Sequence, residues 1–251
     1  MIRLSFAAVC VALATLCAPA TGAATPARPW EDADVLFNQA AADYQQRGFA
    51  GIAPLAVDLE SALSTAGSPI RKTFHYDDVT YVLVDSPLES QLASALSQGG
   101  DGRRVVRISD PYPRLSFLLG AYYNEVGRYD DAIRVMDLGL GAAPNSPMLV
   151  AEKGASLQAL HRWPDALAQY EGGLALPDLP ALDRARMLRG QGACFTETGR
   201  LDDAEAAYRA SLELEPGNEL ARNELQYIAG LRAGRPAGPG EIVAPGRPPG
   251  T

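Results

Sequence analysis

An internal recurrence constrains this chain more than any other feature. Gly120, Tyr123, Gly127, Tyr129, Ala132, Met136, Leu140 and Pro144 return 34 residues later as Gly154, Leu157, His161, Trp163, Ala166, Tyr170 and Leu174. They return again, displaced by a further 38, as Gly192, Phe195, Gly199, Leu201, Ala204, Tyr208, Leu212 and Pro216. A period in this range marks supersecondary units that cannot bury an apolar face alone and must stack on their neighbours. The four extra residues of the last step are placed at Leu179–Leu182, in the connection that contains Pro180.

Each unit reads as two helices around a tight turn. Ala132, Val135, Met136, Gly139 and Leu140, and again Ala204, Ala207, Tyr208, Ser211 and Leu212, fall on one helical stripe. Gly127 and Gly199 stand where a helix ends in left-handed geometry, and His161 replaces that glycine in the middle unit. Asp130-Asp131 and Asp202-Asp203 open the second helices, as the N-terminal dipole favours, and Pro164 takes the same first-turn place. Gly139 and Gly173 each interrupt a helix, at an expected cost of up to about 1 kcal/mol.

These residues carry a resemblance. The pattern Gly-x-x-Tyr/Phe-x-x-x-Gly-x-Tyr/Leu-x-x-Ala-x-x-x-Tyr, closing near a proline, resembles the tetratricopeptide repeat over residues 113–218, in units 113–146, 147–180 and 185–218. The resemblance implies a superhelical array whose first helices line a concave groove. Carried over position by position, the groove residues are Arg114, Phe117, Ala121, Asn124 and Glu125, then Met148, Ala151, Ala155, Gln158 and Ala159, then Arg186, Arg189, Ala193, Thr196 and Glu197. The alanines leave room for an inserted helix or extended peptide. The three arginines point to carboxylates on a partner segment, with a solvated arginine face from genomic composition as the alternative. The lysine–asparagine carboxylate clamp known in this family is absent, because Phe117 and Ala121 stand at its first-unit positions.

Around the repeats, the amphipathic segment 219–232 suits a capping helix, and 233–251 is Pro- and Gly-rich, as a disordered tail would be. Upstream, Ala33–Arg47 and Ile52–Ala66 read as helices, loosely echoing the repeat spacing as a degenerate hairpin. Ile70–His75 and Val79–Val84 read as a strand hairpin about Tyr76-Asp77-Asp78, followed by a helix at Ser86–Ser97 and a strand at Arg104–Ile108. Val79–Val84 is strand-forming enough that an open edge there would accept another strand. The expected class is therefore mainly α: a helical-hairpin, tetratricopeptide-type solenoid behind a small α/β region spanning 30–112.

Met1-Ile2-Arg3, an apolar run from Leu4 to Leu16 and the small residues Ala18 to Ala24 have the order of a secretory signal peptide, residues 1–24. The run is shorter than a membrane span, and Leu16 fits poorly before a lipid-modified Cys17. An exported bacterial protein, periplasmic or elsewhere in the cell envelope, is the expected setting. An uncleaved anchor and a lipoprotein are the other readings. Losing Arg3 takes the net charge from −8 to −9, which argues against a nucleic-acid or anionic-membrane surface. Cys194 is then the single remaining cysteine, so no internal disulfide forms.

Catalytic chemistry leaves no trace. His75 and His161 have no ligand-like spacing, and the phosphate loop, the dinucleotide fingerprint and the nucleophile elbow are all missing. No cofactor or metal is expected, and Cys194 reads as a buried, inert thiol. The function expected from the resemblance is that of a non-catalytic adaptor that binds another protein. Two rivals remain: an enzyme or small-molecule site in residues 30–112, and a structural protein self-associating through Phe117 and Met148.

Overall fold

The computed structural model describes residues 28–67, 70–99 and 102–234. The leader and all but the first two residues of the tail lie outside them. In chain order the elements are α1 (Pro29–Arg47), α2 (Phe49–Ile52), a 3-10 turn (Ala53–Leu55), α3 (Ala56–Thr65), β1 (Thr73–Tyr76), β2 (Val79–Val84), α4 (Pro87–Gly99) and β3 (Arg104–Ser109). Seven helices follow: α5 (Tyr112–Glu125), α6 (Tyr129–Ala142), α7 (Pro147–Ala159), α8 (Trp163–Leu174), α9 (Ala181–Glu197), α10 (Leu201–Leu214) and α11 (Glu219–Arg232). The chain is mainly α, built as a solenoid of helical hairpins with a three-stranded sheet near its start.

The three hairpin turns are the same object made from different residues. Gly127 N–H donates to Asn124 O and Arg128 N–H to Tyr123 O; His161 and Arg162 repeat this on Gln158 and Leu157, and Gly199 and Arg200 on Thr196 and Phe195. This double bond closes the orphan carbonyls of the first helix and requires a left-handed residue. Gly127, His161 and Gly199 supply it at φ 74°, 54° and 76°. The arginine that follows then holds the second helix: Arg128, Arg162 and Arg200 pair with Asp131, Asp165 and Asp203, one turn in. Arg128 and Arg200 also lie over the rings of Tyr123 and Phe195, at 4.4 and 4.3 Å.

Within each hairpin the two helices approach closely because the first carries a glycine where the second carries a large side chain. A Cβ on Gly120 would stand 2.5 Å from Met136, one on Gly154 2.5 Å from the Tyr170 ring, and one on Gly192 2.8 Å from Tyr208. The same geometry corrects the reading of Gly139 and Gly173. They do not merely weaken their helices: a Cβ at Gly139 would meet Ser116 at 2.5 Å, and one at Gly173 would meet Met187 and Val150 at 2.6 Å. The extra four residues of the third unit are also not loop alone. Gly192 lies eleven residues into α9, against eight in α5 and seven in α7, so the insertion largely adds one turn to the start of α9.

α1 and α3 pack on each other and on α5, extending the stack one hairpin upstream. Glu60 on α3 fastens this joint: it accepts from Tyr123 Oη at 2.5 Å and pairs with Arg134 of α6. Those bonds hold the Glu60 carboxyl below the usual range, Tyr123 being the larger cause against the opposing effect of burial.

The sheet corrects one expectation. β1 runs antiparallel to β2, but β3 returns parallel to β2 through the α4 crossover, giving the order β1-β2-β3. Val79–Val84 is therefore the central strand, hydrogen-bonded on both sides, and offers no open edge. The strand expected from Ile70 begins only at Thr73, and Asp77 takes its turn place at φ 49°. One face, with Phe74, Tyr81, Leu83, Val106 and Ile108, packs on Trp30 and α5. Beyond the strand ends, Lys72 reaches the fully buried Asp110 carboxylate at 2.5 Å and Glu89 at 3.2 Å. Asp110 also accepts from the Tyr112 N–H at 2.9 Å, so this cluster ties the sheet to the first turn of α5. Burial, and then the charge of Asp110, pushes the nearby Asp85 carboxyl above its ordinary range.

Candidate functional site: the concave face

α5 packs on α7, and α7 on α9, so the first helices of successive hairpins share the inner surface of the stack. Of the expected groove residues, Arg114, Phe117, Ala121, Asn124, Met148, Ala155, Gln158, Ala159, Arg186, Arg189, Ala193 and Thr196 are half-buried, Glu125 and Glu197 are exposed, and Ala151 is closed off at 2% exposure. Most of them share one face; Ala151 belongs to the packing beneath it.

The arginines are not free. Arg114 pairs with Asp34 of α1 at 3.0 Å and lies 4.7 Å over the Phe37 ring. Arg186 pairs with Glu152 of α7, and Arg189 reaches Glu215, just beyond α10, at 2.6 Å. The arginines read from the sequence as pointing to partner carboxylates are thus each held by one carboxylate of the chain itself. Each guanidinium has five N–H donors in a planar fork, so one such bond fixes its position and leaves donors for a second anion.

Glu152, which contacts two of the expected groove residues, Asn124 and Arg186, is one that sequence reasoning did not name. Ser156 Oγ donates to Asn124 Oδ1 at 2.7 Å, and the Asn124 amide lies 3.5 Å from Glu152. With Arg186 these residues make a polar ladder across α5, α7 and α9. Its place was partly readable: the second and third units are displaced by 38 residues, so Glu152 lies one helical turn beyond Met148, the equivalent of Arg186, and stacking puts it beside that residue. The Asp34–Arg114 pair spans 80 residues and leaves no such signal.

Gln158 has another task. Its Nε2 donates to Gly190 O at 2.8 Å and towards Cys194 Sγ at 3.2 Å, and its Oε1 accepts from Tyr170 Oη at 2.9 Å. It joins α7 to α8 and α9 and has little left for a partner. Cys194 is buried, and burial pushes its thiol up to about 11, which favours the protonated form at neutral pH. Thr196 bonds back to Gly192 O at 2.9 Å. At the far end, burial and then the charge of Glu197 raise the Glu224 carboxyl, so acidic groups gather there while arginines occupy the earlier turns of α9. Among the described residues no group of three or more His, Cys, Asp or Glu side chains is placed to hold a metal ion. No described helix is long and apolar enough to cross a membrane.

Stacked helical hairpins with left-handed turns, a glycine on each first helix fitted to a large side chain on the second, and an inner face of first helices define a helical-repeat solenoid. Residues 152–219 match the tetratricopeptide repeat model, and the hairpins have the tetratricopeptide-type fold. The chain is 29% identical over 182 residues to mouse RNA polymerase II-associated protein 3, covering 69% of this chain and 27% of that protein. It is 32% identical over 104 residues to the wheat Hsp70-Hsp90 organizing protein, covering 41% of this chain and 16% of that one. The chain thus spans about a quarter of the length of the first relative and less of the second. Among solved structures it is similar to the first tetratricopeptide domain of Spaghetti bound to the HSP90 peptide SRMEEVD, with 27% identity, a TM-score of 0.45, and coverage of 49% of this chain and 94% of that one.

Proposed function

We propose that this chain is a non-catalytic adaptor that holds a segment of a partner protein on its concave face. The observation that carries the reading is the pre-set arginine pair: Arg186 and Arg189 sit one turn apart on α9, each fixed by a single carboxylate beside the half-buried Ala155 and Ala193. Fixing a long side chain before binding removes much of its ordering cost, about 0.5–1.5 kcal/mol for each immobilised side chain. The partner segment carries carboxylates where it crosses Arg186 and Arg189, and a basic residue where it passes Glu197 and Glu224. Similarity to an organizing protein named for two chaperones supports a binding role of this general kind.

The cellular setting we propose is outside the cytoplasm, on the order of charge, apolar run and small residues at the N-terminus. Fractionation with N-terminal sequencing tests it: a secreted chain beginning near residue 25 supports export, and an intact cytoplasmic chain overturns it.

The binding test is affinity capture with the wild-type chain and with Arg186→Gln/Arg189→Gln, after melting curves confirm that both are folded. A partner lost from the double variant supports the reading. Equal capture by both removes the arginines from the account.

A further inference from the structure

β3 is an edge strand whose outer side is open. Arg104 N–H donates to Asp78 O and Asp110 N–H to Val84 O, both across to the β2 side. Successive backbone groups point to alternate edges of a strand, so Arg104, Val106 and Ile108 complete the ladder with β2. Val105, Arg107 and Ser109 turn their N–H and C=O groups outward, where no strand of the described residues pairs with them. With six residues this edge is longer than that of β1, which has four.

The side chains beside the edge suit one kind of occupant. Val106 and Ile108 turn into the core, so Val105 and Arg107 share the opposite face, beneath α4. There a cleft of about 190 Å³ opens between β3 and α4, lined by Ser94, Ser97, Gln98, Val105 and Arg107 and by no described residue of β2. It therefore lies on the outer flank of the helix, within reach of a strand added to β3. Its lining offers hydroxyl, amide and guanidinium groups, with space for one side chain. Arg103, Arg104 and Arg107 place three positive charges within five residues of a chain whose net charge is −8. Arg107 donates to Ser94 Oγ at 3.2 Å, and neither it nor Arg104 pairs with a carboxylate among the described residues. In this they differ from the arginines of the concave face.

We infer that β3 takes up an extended, acidic segment of another protein as a fourth strand, with one carboxylate seated in the cleft against Arg107. Main-chain bonding to Val105, Arg107 and Ser109 supplies the pairing, and the cleft supplies the selectivity. Charge chooses the occupant. Two copies joined through β3 about Arg107 would set that arginine against its own counterpart, and like charges directly opposite destabilise a strand pair. A basic segment meets the same repulsion, whereas an acidic one meets two exposed guanidinium groups. The site shares no residue with the concave face and does not depend on the adaptor reading.

The probe is a labelled peptide of about ten residues alternating valine and glutamate. It is titrated against the full chain up to about 1 mM, with amide hydrogen exchange followed by NMR. In the free chain the Val106 and Ile108 amides should be protected and those of Val105 and Arg107 not. Bound peptide should protect Val105, Arg107 and Ser109, and a peptide with lysine in place of glutamate should not bind. Arg104→Glu/Arg107→Glu, at two exposed side chains, should melt as the wild type does. It should bind the glutamate peptide at least about tenfold more weakly and take up the lysine peptide instead. The inference is overturned by no binding up to that concentration, by protection on α9 in place of β3, or by a double variant that binds the glutamate peptide unchanged. Protection at β3 that grows with concentration in the chain alone would assign the edge to a second copy and overturns it too.

Discussion

Alanine at Gly154 tests whether repeat packing or helix propensity governs this fold. Propensity alone favours alanine over glycine in a helix interior by about 1 kcal/mol. Here the new Cβ would lie 2.5 Å from the Tyr170 ring. The ring cannot simply retreat, because Gly190 of α9 flanks it and a Cβ there would lie 2.3 Å away. Tyr170 is thus wedged between α7 and α9, with its hydroxyl bonded to Gln158 at 2.9 Å. Overpacking costs about 1–3 kcal/mol, and losing the tyrosine hydrogen bond about 0.5–1.5 kcal/mol. Set against the propensity gain, Gly154→Ala should destabilise the chain by about 1–3 kcal/mol. Gly172→Ala is the control. It lies on α8 with nothing within 4 Å of its would-be Cβ and should stabilise by up to about 1 kcal/mol. Urea unfolding followed by circular dichroism reads both, as midpoints moving in opposite directions. Movement in the same direction would refute the wedge.

Three further outcomes follow from the same geometry. Gly139→Ala and Gly173→Ala should lower the melting temperature, reversing what propensity predicts, because Ser116 and Met187 occupy the space. His161→Gly should raise stability by up to about 1 kcal/mol, since His161 holds φ 54° at a position where the other turns use glycine; an unchanged or lower urea midpoint would show that its edge contact with Trp163 outweighs the strain. Glu60, whose carboxyl is held below the usual range by Tyr123 and then Arg134, contributes stability that is complete above the unfolded-state glutamate value and is lost as pH falls through the lowered one. Melting curves taken downwards from pH 5 should therefore show a loss in the wild type that Glu60→Gln lacks, and parallel curves would contradict it.

Much of the fold was legible because stacking repeats convert sequence period into spatial adjacency. Gly127 and Gly199 mark turns that need a left-handed residue, and His161 could be read as their equivalent only through the period. The glycines at 139 and 173 were misread because propensity is a property of one helix, whereas their role is set by Ser116, Val150 and Met187 on others. In the sheet, the strand-rich run Val79–Val84 and the strand at 104 were visible, but which strand is central depends on the crossover of α4, and periodicity does not encode it. The inner-face positions were transferable one by one. Their ion pairs were not, since Asp34 and Glu215 reach Arg114 and Arg189 from helices outside the pattern or from their ends. Gln158 shows the limit of such transfer: the position faces inward, yet Tyr170, Gly190 and Cys194 consume its hydrogen-bonding groups.

The most direct test of a partner segment on the concave face is photo-crosslinking from single positions of one residue type. A benzophenone side chain placed at Ala155 or at Ala193 looks into the groove, whereas one at Ala168 or Ala206 looks out from the exposed side of α8 or α10. In cells that make the protein, one crosslinked species should form from 155 and 193 and be absent from 168 and 206. Crosslinks from the outer positions alone would contradict the account.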